Sequence, residues 1–316
     1  LRLLITRALP GSVMEAARAA FDVTLRETTR PMDHAECVAA LREHDVIVPT
    51  LGDAFSAAAF AEAAPDIRAR GLANFGVGYD HIDAEAARAA GVEVTNTPGA
   101  VTDATADIAL TLILMTARRA GAGERLVRAG AWEGWTPTQM LGLHVTGKTV
   151  GILGMGRIGQ AVARRCAGGF GMEVVYWNRS ERAVEGARRL ASVEAVCAAA
   201  DIVVLTVAAT PETRHLVGAA QLAAMRPHAV LVNVARGDVV DEAALIAALE
   251  AGAIGGAGLD VYEREPHVPE ALIAREDVTL LPHLGTAALE VREAMGRMAL
   301  DNARAMAEGR PPPDPV

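Results

Sequence analysis

Short runs of β-branched residues alternate with alanine-rich stretches along almost the whole chain, and that alternation leaves few folds open. Residues 2–6, 22–25, 45–49, 67–73 and 92–95 read as strands. Between them lie 11–20, 33–42, 54–63 and 83–90, rich in Ala, Glu and Arg, which favour helix. Strand, helix and strand in this order make a parallel sheet with right-handed crossovers. After 96-NTPG-99 a long helical segment, 102–119, leads to a second series with strands at 148–153, 173–177, 202–207, 229–234, 255–260 and 278–282. The last segment, 287–309, is helical and has no strand after it to serve, so it is expected to return to the first unit. The expected fold class is α/β, with two doubly wound parallel-sheet domains. One is discontinuous (1–98 and 287–316) and the other spans 99–286. The proline-rich tail 310-RPPPDPV-316 is expected to fray.

Composition narrows the function classes. At 316 residues the chain is long for a single core, and 51% hydrophobic with 22% charged residues describes a globular protein with a sizeable interior. A net charge of −9 argues against a nucleic-acid partner, because phosphate neutralisation needs a basic face. Any anion must therefore be met by locally placed arginines. Cys37, Cys166 and Cys197 are widely spaced and form no metal-ligand pattern, which fits idle thiols in a reducing compartment. The longest apolar run, 108-IALTLILMTA-117, is too short to span a bilayer and reads as a buried helix. Residues 1–10 read as a strand and turn rather than a signal peptide, so the expectation is a cytoplasmic protein without a membrane partner.

The stretch 150-VGILGMGRIGQAVA-163 sets Gly154, Gly156 and Gly159 in G-x-G-x-x-G spacing between a strand and a helix. Gly154 allows a tight turn, Gly156 lets a pyrophosphate approach the backbone, and Gly159 lets helix and strand pack closely. Met155, Arg157 and Ile158 complete the loop, and the free amides behind it favour an anion. An ordinary tight turn is the alternative, weakened by the strand and helix on either side. An acid after the next strand would accept hydrogen bonds from both ribose hydroxyls of NAD and repel a 2′-phosphate. Here stand Asn178, Arg179 and Ser180. A neutral amide, a guanidinium fork and a hydroxyl suit NADP(H), with NAD as the weaker alternative. Arg179 pointing to solvent, or stacked on adenine, would leave the choice open.

Three later stretches, 232-VNVARGDVVD-241, 258-GLDVYEREP-266 and 281-LPHLGTA-287, each carry a polar residue just beyond a strand. Carboxyl ends of strands line the ligand crevice of a doubly wound sheet, so Arg236, Glu265 and His283 can converge. Arginine offers a fork for a carboxylate. Histidine can give a proton to an alkoxide, and a neighbouring carboxylate holds the imidazole in one orientation. Singly, each could be a strand-end cap, a solvated turn residue or a hydrogen-bonded loop histidine. Together, beside a dinucleotide loop, they read as a catalytic set.

Those stretches, with 74-NFGVGYDHID-83, 95-TNTPGAVTDATADIAL-110 and 210-TPETRHLV-217, make the chain similar to the D-isomer-specific 2-hydroxyacid dehydrogenases over nearly its full length. Within that family 132-WEGWTPTQMLGLHVTGKTVGILGMGRIG-159 most resembles the glyoxylate and hydroxypyruvate reductases. The resemblance implies a Rossmann dinucleotide-binding domain and a discontinuous, flavodoxin-like substrate domain. It implies Arg236, Glu265 and His283 as the catalytic residues, with Arg236 and His283 also touching the substrate. Val77 and Gly78 match amides that hold the substrate carboxylate, and Leu51 a loop position near it. Asp260, Thr105 and Thr213 match cofactor contacts. Val207 and Ala208, Val234 and Ala235, and Gly285 complete the expected cofactor set. Ala208 stands where relatives often have proline, which leaves the loop's shape near the adenosine open.

The implied reaction is NADP(H)-preferring reduction of a small 2-keto acid, glyoxylate or hydroxypyruvate, to the 2-hydroxy acid. The rival enzyme readings are an NAD-dependent D-2-hydroxyacid or 3-phosphoglycerate dehydrogenase. A non-catalytic dinucleotide-sensing protein like the family's corepressor branch is the rival from another class. Glu265 argues against formate dehydrogenase relatives, and the chain length against an added sensor domain. A homodimer is expected, with Trp132 and Trp135 either reaching the partner or covering the core locally. Closure about hinges near 98–101 and 285–288 is expected, because the matched amides and Arg236 belong to different domains.

Overall fold

The computed structural model describes all residues from Leu1 to Val316. The chain divides into two compact units, Leu1–Val101 with Thr286–Val316, and Thr102–Gly285. Residues 99–101 thus stay with the first unit, and Thr286 joins its C-terminal segment.

The first unit contains β1 (Arg2–Ile5), α1 (Gly11–Ala20), β2 (Asp22–Leu25), α2 (His34–Glu43), β3 (Val46–Val48), α3 (Ala57–Ala63), β4 (Gly71–Ala73), α4 (Ala84–Ala89) and β5 (Glu93–Thr95). The strands form one parallel sheet in the order β2-β1-β3-β4-β5. That is the flavodoxin-like order, whose reversal lies between β1 and β3. Three of its helices start where capping chemistry says they should. Asp33 and Glu36 exchange side-chain and backbone hydrogen bonds at the head of α2, and Ser56 and Asp83 cap α3 and α4.

The second unit contains α5 (Thr102–Ala117), α6 (Ala120–Arg128), β6 (Thr149–Leu153), α7 (Arg157–Phe170), β7 (Glu173–Trp177), β8 (Ala187–Arg189), α8 (Val193–Ala199), β9 (Ile202–Leu205), α9 (Ala219–Ala224), β10 (Val230–Asn233), α10 (Glu242–Glu250), β11 (Gly256–Leu259), α11 (Glu270–Ile273) and β12 (Val278–Leu280). Its seven parallel strands run β12-β11-β10-β9-β6-β7-β8, so strand order reverses between β6 and β9. β6, β9, β10 and β11 are almost wholly apolar and buried, as expected of strands covered on both faces. The run 108–117 lies in α5, which packs on α7, β10 and β11. Gly258 allows that approach: a Cβ there would stand 2.8 Å from the Thr116 hydroxyl and 3.1 Å from the Leu112 Cβ. No helix is long and apolar enough to cross a membrane.

The remaining helix, α12 (Leu289–Ala307), packs on α1, β3 and β4 of the first unit. The tail after it does not fray. Val316 donates to the Val94 carbonyl (3.0 Å), Pro315 bridges Thr95 in antiparallel sense, and Asn302 of α12 holds Asp314 through two hydrogen bonds of 3.0 Å. The expectation of fraying rested on proline content, which carries no trace of these anchors.

Other element limits differ for identifiable reasons. Only 71–73 of the stretch 67–73 is strand, because Arg68 and Ala69 donate to the Leu41 carbonyl at the end of α2. The helix expected over 102–119 stops at Ala117, where Arg119 turns left-handed (φ 53°) and α6 begins. β9 ends at Leu205 rather than 207, since Thr206 turns toward the end of β6. β8, with the sequence ARR, carries no strand signal and exists by pairing with β7. Trp132 and Trp135 are 52% and 78% exposed, so they do not cover the core.

Candidate active site

The turn after β6 shows three glycines under three different constraints. Gly154 has φ +99°, and a Cβ on it would stand 2.7 Å from the Val207 nitrogen. A Cβ on Gly159 would run into the Gly154 carbonyl. Packing therefore requires those two. Gly156, the N-cap of α7, has no side-chain cap, and no atom lies within 4 Å of where its Cβ would be. The first-turn amides of α7 thus face open space at the strand-order reversal. Backbone donors in a space that a side chain would fill fit a dinucleotide's pyrophosphate. Arg157 is exposed and Ile158 half-buried at the start of α7, while Met155 is fully buried.

The loops after β7 and β9 flank this turn. The Asn178 amide oxygen accepts from the Met155 amide (3.1 Å), and its nitrogen donates to the Ser180 carbonyl (2.7 Å). Asn178 thus couples the glycine turn to the 178–180 turn and leaves Arg179 exposed at the tip, outside any salt bridge of the chain. On the β9 side Thr206 donates to the Gly154 carbonyl (2.6 Å). The Ala208 loop is closed without proline: the Thr213 hydroxyl donates to the Ala208 carbonyl (2.7 Å) and accepts from the Thr210 amide (2.8 Å). The exposed Glu212 carboxyl is lowered from its ordinary value, by the Thr210 hydroxyl first, and after that and its own amide by Arg179.

Arg236, Glu265 and His283 follow β10, β11 and β12, three adjacent strands of one sheet. The Glu265 Oε2 lies 2.8 Å from the His283 Nδ1, and its Oε1 accepts from the Tyr262 amide at 3.1 Å. A carboxylate can only accept, so Nδ1 carries the proton and Nε2 is turned to other partners. His283 adopts φ +53°, a left-handed conformation unusual for a side chain with a Cβ. It is held there by its amide, which donates to the Asp260 carbonyl (2.9 Å). The Asp260 side chain accepts from the amides of Leu284 (2.6 Å) and Gly285 (2.8 Å), and the Thr105 hydroxyl donates to the Gly285 carbonyl (3.2 Å). Burial pushes the Asp260 carboxyl above the usual range, against the Leu284 and Gly285 amides and His283 that favour its charge.

Two residues that organise this corner escaped the sequence reading. Asn233 closes the turn before Arg236, donating to the Arg236 carbonyl (2.8 Å) and accepting from the Ala235 amide (3.0 Å). Val234 and Ala235 are buried within that turn. Tyr262 donates its hydroxyl to the Leu281 carbonyl (2.9 Å), two residues before His283. A Cβ on Gly237 would overlap the Tyr262 carbonyl, so the Arg236 and Glu265 segments meet backbone to backbone. The sequence carried no signal that marked either.

In the first unit, Leu51 is 38% exposed at a turn pinned from beneath by Asp53, which is wholly buried. The Asp53 carboxylate accepts from the Thr6 hydroxyl (2.6 Å) and the Thr50 and Met32 amides (both 2.9 Å), and it pairs with Arg7 at 3.4 Å. Val77 and Gly78 lie in the loop after β4, and no group of the chain accepts from their amides.

Known proteins carry the same organisation. Residues 110–285 match the sequence model of the D-isomer specific 2-hydroxyacid dehydrogenase NAD binding domain. The chain is 43% identical over 319 residues to a glyoxylate reductase of Thermococcus kodakarensis, covering 99% of this chain and 95% of the relative. It is 41% identical to a glyoxylate reductase of Pyrococcus furiosus, covering 99% and 94%. A crystal structure of an NADPH-dependent glyoxylate/hydroxypyruvate reductase from Sinorhizobium meliloti, in complex with NADP and malonate, superposes with a TM-score of 0.88 at 38% identity, covering 100% of this chain and 96% of that one. With the glycine cradle intact and the match spanning both units, the chain belongs to the D-isomer-specific 2-hydroxyacid dehydrogenases, oxidoreductases that use a nicotinamide dinucleotide.

Proposed function

We propose that this protein reduces glyoxylate or hydroxypyruvate to the 2-hydroxy acid, with NADP(H) preferred over NAD(H). The observation that carries this reading is the Glu265–His283 pair, at 2.8 Å, on the sheet whose β6 ends in the glycine cradle. The dinucleotide supplies a hydride to the carbonyl carbon. His283, as the imidazolium with its Nδ1–H held by Glu265, gives the Nε2 proton to the oxygen that becomes the hydroxyl and is left as the neutral Nδ1–H tautomer. Glu265 keeps the imidazole in that tautomer and orientation. Arg236 offers its fork to the carbonyl and carboxylate of the substrate. In the first unit, the amides of Val77 and Gly78 are proposed as carboxylate donors and Leu51 as a substrate neighbour on the family resemblance.

The cofactor is assigned to the α7 amides behind Gly154, Gly156 and Gly159, with Thr105, Thr213, Asp260 and Gly285 around it. Arg179 reads the 2′-phosphate. Support for NADP(H) comes from the missing acid after β7 and from the exposed, unbridged guanidinium of Arg179. Of the relatives named above, two are glyoxylate reductases and the third is an NADPH-dependent glyoxylate/hydroxypyruvate reductase. Steady-state kinetics with a panel of 2-keto acids and both cofactors tests the reading. Higher kcat/KM for a larger keto acid, or for NADH, would overturn the corresponding half.

A homodimer is proposed from the exposed apolar residues of α6 and the segment that follows it. Val127, Trp132, Trp135 and Leu141 are 60%, 52%, 78% and 70% exposed within one segment. Four large apolar side chains exposed within fifteen residues of sequence mark a candidate interface. Sedimentation of Trp135→Glu checks it, with a shift to monomer expected.

A further inference from the structure

We infer that the buried Asn74 is a positioning residue for an anion nest of three backbone amides, those of Val77, Gly78 and Tyr79. The loop after β4 turns four consecutive carbonyls inward. The Asn74 side-chain nitrogen donates to the Gly76 carbonyl (3.1 Å) and the Gly78 carbonyl (2.9 Å). The Asn96 side chain donates to the Val77 carbonyl (2.9 Å), and the Ile82 amide to the Tyr79 carbonyl (2.9 Å). In a planar trans peptide the N–H points opposite to the C=O. Inward carbonyls at 76, 77 and 78 therefore aim the amides of 77, 78 and 79 outward together. None of these three amides has an acceptor in the chain. Successive amides converging in this way form an anion-binding concavity.

Asn74 is wholly buried and can serve here only in one orientation. With its nitrogen shared between two carbonyls, its oxygen faces His81, whose Nε2 lies 3.1 Å away and must carry the proton. One amide side chain thus fixes the direction of two of the three donors, Val77 and Tyr79, and Asn96 fixes the third. The ligand class is a small carboxylate. This rests on the reading of the protein as a 2-keto-acid reductase, and it adds Tyr79 as a donor and Asn74 as the residue that holds the nest open.

The test compares wild type with Asn74→Leu, which keeps the volume and loses the donors, and Asn74→Ser, a smaller residue retained in case the first variant fails to fold. Oxamate binding to the full chain saturated with NADPH is measured by calorimetry, alongside NADPH affinity and glyoxylate kinetics. A misdirected charge-assisted donor weakens binding by roughly tenfold or more, so oxamate Kd and glyoxylate KM should rise by that factor. NADPH affinity and kcat should stay within about threefold, a split that general loss of structure would not give. Oxamate affinity unchanged in a folded variant, or no oxamate binding by wild type, overturns the inference. Wild type that binds oxamate in an Asn74-dependent way yet does not reduce glyoxylate would uphold the nest and overturn the proposed reaction instead.

Discussion

The Glu265 carboxylate spends one oxygen on the His283 Nδ1 (2.8 Å) and the other on the Tyr262 amide (3.1 Å). The acid is therefore fixed at both oxygens, and it fixes the imidazole in turn. Each partner arrives from a different strand end, so the pair exists only in the folded sheet. His283→Ala should lower kcat for keto-acid reduction by on the order of 10²–10⁴, the usual range for a positioned proton donor. Glu265→Gln leaves an amide that can donate as well as accept, freeing the tautomer, and should cost a smaller factor in kcat. Near-normal turnover in His283→Ala would remove histidine from the mechanism.

The glycine turn predicts two opposite outcomes for the same substitution. Gly156→Ala places a methyl in open space at φ −75°, so folding should be unaffected while dinucleotide affinity falls tenfold or more. Gly159→Ala forces the methyl into the Gly154 carbonyl and should destabilise the fold by about 1–3 kcal/mol. Thermal melts paired with cofactor titration separate them. Equal destabilisation in both would mean that Gly156 is also a packing glycine.

The proposed preference for NADP(H) is tested at Arg179. Loss of a charge-assisted pair costs about 1.5–3 kcal/mol, so Arg179→Ala should weaken NADPH by roughly ten- to a hundredfold. NADH, without the phosphate, should change little. Comparing kcat/KM for both cofactors in wild type and variant is the measurement, and equal losses would show that Arg179 does not read the phosphate.

Asp201 gives a stability prediction away from the active site. Burial alone would raise its carboxyl, but the Thr149 amide, His228 and Arg226 hold it down to about 2. Both side-chain partners lie at 2.7 Å. A folded-state value below the unfolded one contributes stability above the ordinary range, lost as pH falls from about 4 through about 2. The shift corresponds to about 2 kcal/mol near neutrality. Asp201→Asn should lower Tm at pH 7, with the gap to wild type closing across that acid window. A pH-independent gap would assign the loss to packing alone.

The sequence by itself determined the class of the fold, because alternating β-branched and alanine-rich stretches can only wind a parallel sheet. It also determined the cradle, since G-x-G-x-x-G is a local pattern whose geometry is set by residues three apart in a single turn. Local chemistry likewise placed α1 and β7 at their observed limits. What tertiary structure decided is whatever depends on partners distant in sequence. β8 has no strand propensity and forms only because β7 offers it an edge. The tail is held by Asn302 and Val94, though its composition reads as disordered. Glu265 and His283 stand eighteen residues apart along the chain, and neighbouring strand ends bring them to 2.8 Å. Asn74, Asn233 and Tyr262 were silent in the sequence for the same reason. A buried polar side chain declares its role only when the carbonyls and amides it satisfies are in place around it.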